Sequence, residues 1–167
     1  MAYYSGSDGW MYLQAGERFQ DPGGSFEPAD KSAAVTNWSL TTSLTAIESS
    51  TLGDTDTIFT PGLRTTTGTC TILYYKDINK SNKAALLINQ MIKPRNNEIL
   101  DGGQAEKPGK VIFKLGLDDE AGVERFIYVR AYLTSVSTAM AVGEVMKVDA
   151  QFRVIGAPNQ VAIDNSG

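Results

Sequence analysis

The chain has 167 residues, 42% of them apolar, enough to build a real core and too many for wholesale disorder. Its 15 basic residues against 19 acidic ones give a formal charge of −4, without the basic excess that a stand-alone nucleic-acid binder needs, although a surface that nucleic acid merely slides past is helped by a mild negative bias. The absence of histidine and a count of one cysteine exclude His-based acid–base catalysis, His-dependent triads, most zinc sites and any intramolecular disulfide.

Met1–Gly6 lacks the basic start and apolar run of a signal peptide, and no apolar stretch approaches the ~20 residues of a membrane helix. A cytoplasm-like setting is therefore expected. Gly9–Leu13 reads as an edge strand, followed by a loop over Gln14–Ser32 that carries Pro22, Gly23, Gly24 and Pro28. Thr36–Ala46 alternates, with Trp38, Leu40, Leu44 and Ala46 on one parity and Asn37, Ser39, Thr41 and Ser43 on the other. A second loop, rich in Thr, Asp and Gly, spans Glu48–Gly62.

Arg64–Tyr75 places Cys70, Ile72 and Tyr74 inward and the ladder Thr65, Thr67, Thr69 and Thr71 outward. In Ser81–Ile92, Ala84, Leu87, Ile88 and Met91 form one helical stripe, with Ser81 as N-cap and Lys93-Pro94 as stop. Such a helix covers a sheet edge or corner. A third loop spans Arg95–Gly109. Lys110–Leu117 reads as a strand burying Val111, Phe113, Leu115 and Leu117. Arg125–Ser135 carries bulk on both faces, as a central or covered strand does. Gly143 suits a hairpin turn into Glu144–Val154, where Met146, Val148, Ala150, Phe152 and Val154 face a core and Lys147, Asp149, Gln151 and Arg153 face water. The expected fold is a mainly β, antiparallel sandwich or barrel over residues 1–167, with one flanking helix. Loops beyond about 12–15 residues usually carry function, and this chain has three.

No catalytic constellation emerges. Asp118-Asp119-Glu120, followed by Ala121-Gly122, reads as a hairpin turn before it reads as a cation site. Asp54-Thr55-Asp56 lacks the Gly and terminal Glu of a calcium loop. No acidic pair is singled out at the about 5–10 Å a glycosidase needs. Cys70, mid-strand, reads as a buried inert thiol. Asp101-Gly102-Gly103-Gln104 follows no βα unit and reads as a turn rather than a phosphate loop. Tyr3, Tyr4, Trp10 and Tyr12 could stack on sugars or bases, but such a cluster more often packs on its own domain or on a neighbouring subunit. No metal, cofactor or catalytic residue is expected.

One order of features carries a resemblance. A long amphipathic strand, a Thr/Gly-rich strand ending in Tyr74-Tyr75, a helix, a loop and a closing strand series resemble bacteriophage tail tube proteins. The most specific stretch is Ala131–Pro158, where Leu133-Thr134-Ser135-Val136-Ser137 leads through Gly143-Glu144 into Val148-Asp149-Ala150-Gln151-Phe152-Arg153-Val154. The pattern extends from about Gly9 to Pro158. The family implies a hexameric ring in which each subunit gives strands to a continuous inner β-barrel. Rings stack into the virion's tail tube, assembled in the host cytoplasm, through which double-stranded DNA is ejected. Implied partners are further copies, tape-measure, tail-terminator and baseplate proteins and a possible sheath.

On that resemblance, Thr65, Thr67, Thr69 and Thr71, or Asp149 and Gln151 with Lys147 and Arg153, are the candidates for a lumen face. Tyr3, Tyr4, Trp10, Phe19, Phe26, Asp54, Asp56, Arg64, Asn97 and Glu98 are candidates for contacts between rings or subunits. Two alternatives stay open. One is the hexameric tube protein of a bacterial contractile secretion system. The other is a carbohydrate- or receptor-binding β-sandwich module, which requires an exposed Trp10 or Trp38.

Overall fold

The computed structural model describes residues 9–15, 35–51, 53, 55–74, 83–92, 109–118, 124–158 and 160–162. Period-two alternation dominates these segments, and they form seven antiparallel strands and one helix. In chain order they are β1 (Gly9–Ala15), β2 (Val35–Glu48), β3 (Phe59–Leu73), α1 (Lys83–Met91), β4 (Lys110–Asp118), β5 (Glu124–Ala139), β6 (Lys147–Val154) and β7 (Gln160–Ala162). One sheet runs in the order β1-β4-β5-β6-β3-β2, with β7 beside the first half of β5. The sheet does not close into a barrel.

Strand β5 divides the sheet. Its residues 124–132 pair with β4 and its residues 131–139 with β6, and a register shift falls between Leu133 and Ser135. Phe113 on β4 and Phe152 on β6 stack with centroids 4.3 Å apart and planes at 28°. Phe113 lies opposite Val129 and Phe152 opposite Leu133, so in a flat sheet they would stand about 10 Å apart across the strands and about 13 Å apart along them. The sheet therefore curls across β5 and brings its two halves' apolar faces together. Met11, Leu13, Val111, Phe113, Leu115, Val129 and Ala131 come from one half, and Cys70, Ile72, Val148, Ala150, Phe152 and Val154 from the other. Helix α1 adds Ala84 and Leu87, both fully buried.

Several expectations shift. The loop read over Glu48–Gly62 is shorter, because Glu48 closes β2 and β3 already begins at Phe59. Pro61 is accommodated because β6 pairs with β3 only from Thr67 onward, so this stretch of β3 has a free side among the described residues. Leu44 is 54% exposed although it continues the apolar parity, since β2 there has run past the core. Ala46 is exposed for the same reason, and Tyr74 is exposed because β3 ends one residue before it. Gln14 belongs to β1; the rest of the 14–32 loop beyond Ala15, Ser81, Lys93-Pro94 and the 95–109 loop up to Pro108 lie outside the described residues. Strand β7 has no counterpart in the sequence reading.

Candidate functional site

The second half of the sheet presents one polar face. Register sets its rows: Asn37 of β2 opposite Thr71 of β3, Asp149 of β6 and Ser137 of β5; then Ser39, Thr69, Gln151 and Ser135; then Thr41, Thr67 and Arg153. The outward threonines of β3 and the outward residues of β6 therefore do not compete as separate surfaces. They are neighbours on the same one. Side chains tie the rows together: Ser39 Oγ and Thr69 Oγ1 lie 2.7 Å apart, and Thr71 Oγ1 donates to Asp149 Oδ1. Such cross-strand hydroxyl pairs hold a wet face in shape without apolar contact. The face carries Asp149 with Lys147 and Arg153, all exposed, among neutral hydroxyls and amides. Asn37, Ser39, Thr41, Ser135 and Ser137 complete it. Alternation had put the first three on the wet side, but only pairing shows that they extend this surface.

Behind that face lies the buried Cys70. Burial pushes the Cys70 thiol up to about 12, with the Asp149 carboxylate adding to the shift, so the reactive thiolate is suppressed. No group of three or more metal-ligating side chains occurs among the described residues. Nor is there an exposed tryptophan platform. Trp10 is 4% exposed, set edge-on to Tyr12, with Lys114 Nζ 5.2 Å from its ring centroid. Trp38 is half-buried against the core. Trp10's area is thus spent within its own chain.

Two strand edges border the polar face. Among the described residues, β2 pairs only with β3, and β5 after Leu133 pairs only with β6. Among the described residues, both flanks of the four-strand layer β5-β6-β3-β2 thus carry unmatched backbone groups, the usual invitation to add a strand.

The layer's two ends differ in shape and agree in character. Beyond Thr67, β2 and β3 continue with only each other as partners among the described residues. Eight residues of β3, Phe59–Thr66, form this arm, which gives a reach of ~26 Å. Leu44, Ile47, Phe59 and Leu63 along it are all more than half exposed. Asp56 and Arg64 are exposed there too. At the opposite end, the turn from β5 to β6 exposes Met140, Val142 and Val145 beside Tyr74, whose N–H donates to the Met146 carbonyl. Gly143, at φ +84°, makes that turn, as its place in the sequence implied. Ile58 and Phe59 of the arm were hidden from sequence reading inside an apparent loop, although they are unusual residues for a solvated one, and Leu44 was read as facing a core. Tyr3, Tyr4, Phe19, Phe26, Asp54, Asn97 and Glu98 lie outside the described residues.

No protein-family model matches the chain, and no curated protein does. Solved structures do. A chain of the virion of a native gene transfer agent particle aligns with TM-score 0.58 at 14% identity, covering 93% of this chain and 97% of that one. A chain of the SPP1 tail tube aligns with TM-score 0.59 at 14% identity, covering 96% and 80%. A chain of the sheath–tube complex of an extracellular contractile injection system, in its extended state, gives 0.51 at 14% identity, covering 88% and 84%. At such identities the likeness establishes a shared fold.

Proposed function

We propose that this chain is a structural protein that assembles with copies of itself into the tube of a phage-type tail, the conduit for genome ejection. The observation that carries the reading is the four-strand layer with a polar face and two open flanks. Its strands alternate in direction and are even in number, so rotating a copy about an axis beside the layer sets the descending β2 against the ascending second half of β5 in the next copy. Antiparallel pairing then continues around the ring, and closure removes every free edge on the layer. The family resemblance gives six copies per ring.

The polar face then lines the bore. Thr65, Thr67, Thr69, Thr71, Gln151 and Asp149 offer hydration without the dense basic surface that would hold a phosphate backbone, and Asp149 partly offsets Lys147 and Arg153. Passage of double-stranded DNA is correspondingly non-specific. No enzymatic role is proposed. Tape-measure, terminator and baseplate proteins, with a sheath where the tail contracts, are the expected partners. The likeness to a contractile injection system chain supports a second reading, the tube of a contractile secretion apparatus, which the same architecture serves. Coding-region neighbours separate the two: capsid and packaging functions for a phage, a secretion cluster for the other.

Negative-stain microscopy of purified protein at rising concentration tests the reading. Rings with six-fold symmetry or hollow tubes are expected. A protein that stays monomeric at every concentration contradicts it.

A further inference from the structure

The polar face is cationic in a chain that is not. Among the described residues on the rows where β6 pairs with β3, Lys147 and Arg153 stand against Asp149 alone, leaving one positive charge, while the whole chain carries −4. The three charges share one side of β6, and their spacing decides what each can do. Asp149 accepts a hydrogen bond from Thr71 and lies two residues from Lys147. That is ~7 Å along the strand, inside the ~8 Å over which physiological salt screens a charge. Arg153 lies four residues from Asp149, ~13 Å along the strand and beyond that range. Lys147 is thus offset by its neighbour and Arg153 is not. Register sets Arg153 between Thr67 and Tyr132, both uncharged, and no described residue forms an ion pair with it.

We propose that Arg153, repeated around the ring, forms a cationic collar that holds the phosphates of duplex DNA inside the bore. This rests on the tube reading above and adds a contact residue and a salt-dependent hold to an otherwise neutral passage. Four strands from each of six copies, at a spacing of ~4.8 Å and a tilt of ~40°, give a wall about 24 Å in radius. Such a wall admits a duplex, and the flexible stem of Arg153 carries its guanidinium inward. A guanidinium bonds phosphate oxygens two at a time and keeps its charge at any working pH. The duplex presents a charge every ~1.7 Å of its axis, so a phosphate stands at the collar whatever the sequence and however far the DNA has advanced. The hold is therefore independent of sequence and lets the DNA slide. One collar per tier is sparse enough that passage continues, and the Lys147 and Asp149 rings beside it nearly cancel.

The experiment pellets tubes assembled from the full chain with a short, fluorescently labelled linear duplex. A closed circular duplex, which has no end to thread into a bore, reports binding to the outside, and polyglutamate reports affinity for an acidic polypeptide. The linear duplex should be retained and the other two should not. Its affinity should fall about tenfold between about 50 and 200 mM salt, as loss of about two phosphate contacts requires. Arg153→Gln should weaken retention about tenfold at low salt and flatten the salt dependence, whereas Arg153→Lys should keep most of it. Lys147→Gln should change little, and Asp149→Asn should strengthen retention by unmasking Lys147. Negative-stain microscopy checks that each variant forms tubes. An Arg153→Gln chain that forms none overturns the collar, because Arg153 would then serve assembly. Arg153→Gln tubes that hold the duplex as wild type does, equal retention of the circle, or preference for polyglutamate each overturn it too. Wild-type tubes that retain no duplex overturn the collar and leave the tube reading standing, whereas a wild-type chain that never assembles contradicts both.

Discussion

The ring of Phe152 lies across Gly68 so closely that a Cβ at position 68 would stand 2.3 Å from its Cζ and 2.7 Å from the Ser39 carbonyl oxygen. Glycine is required there by space, in the middle of a threonine-rich strand where β-branched residues otherwise prevail. Gly68→Ala must push the ring out of the core or spread β2 from β3. A loss of about 1–3 kcal/mol in unfolding free energy is expected, read from chemical denaturation monitored by circular dichroism.

Phe152 also stacks on Phe113, the contact that joins the sheet's two halves. Phe113→Ala leaves a cavity at that junction and removes the partner ring. It should cost about 3–5 kcal/mol by the same measurement, whereas Val142→Ala, at a fully exposed turn position, should leave stability unchanged.

Cys70 gives a titration signature. Burial first, and the Asp149 carboxylate second, hold its thiol protonated in the fold up to about 12, against an ordinary 9.0. The folded value is raised, so the unfolded chain releases this proton first. The contribution to stability is full below pH 9.0 and declines as pH rises from there toward about 12. At pH 8 Ellman's reagent should find no reactive thiol in the native protein and one per chain in guanidinium. Rapid native labelling at pH 8 would contradict the burial.

The β2 edge can be blocked without touching the core. Successive residues of a strand point their N–H groups to opposite sides, so of Thr41→Pro and Thr42→Pro one removes a donor to β3 and the other removes a donor on the open flank. The second kind should keep the melting temperature within a few degrees and abolish rings in microscopy and sedimentation. If it forms normal rings, β2 does not make the lateral seam.

Alternation revealed most of this architecture. Val148, Ala150, Phe152 and Val154 are buried and Lys147, Asp149, Gln151 and Arg153 exposed, as their spacing implies, because β6 sits squarely between a core and water. The helical stripe placed Ala84 and Leu87 inward for the same reason. Legibility failed where a strand leaves its core. Leu44 and Phe59 obey no burial rule within one chain, since no described residue covers them, and Pro61-Gly62 mimics a turn inside a continuous strand. The three-residue β7 is too short to show a period. Pairing was equally hidden: Thr69 and Gln151 lie 82 positions apart, and only register makes them neighbours on one face.

Electron cryo-microscopy of the assembled protein bears most directly on the central claim. The account predicts a wall in which each copy contributes β5, β6, β3 and β2, with β2 hydrogen-bonded to the second half of the next copy's β5 and with Thr69 and Gln151 facing the bore. A wall with that polar face turned outward, or one joined through β1, would contradict it.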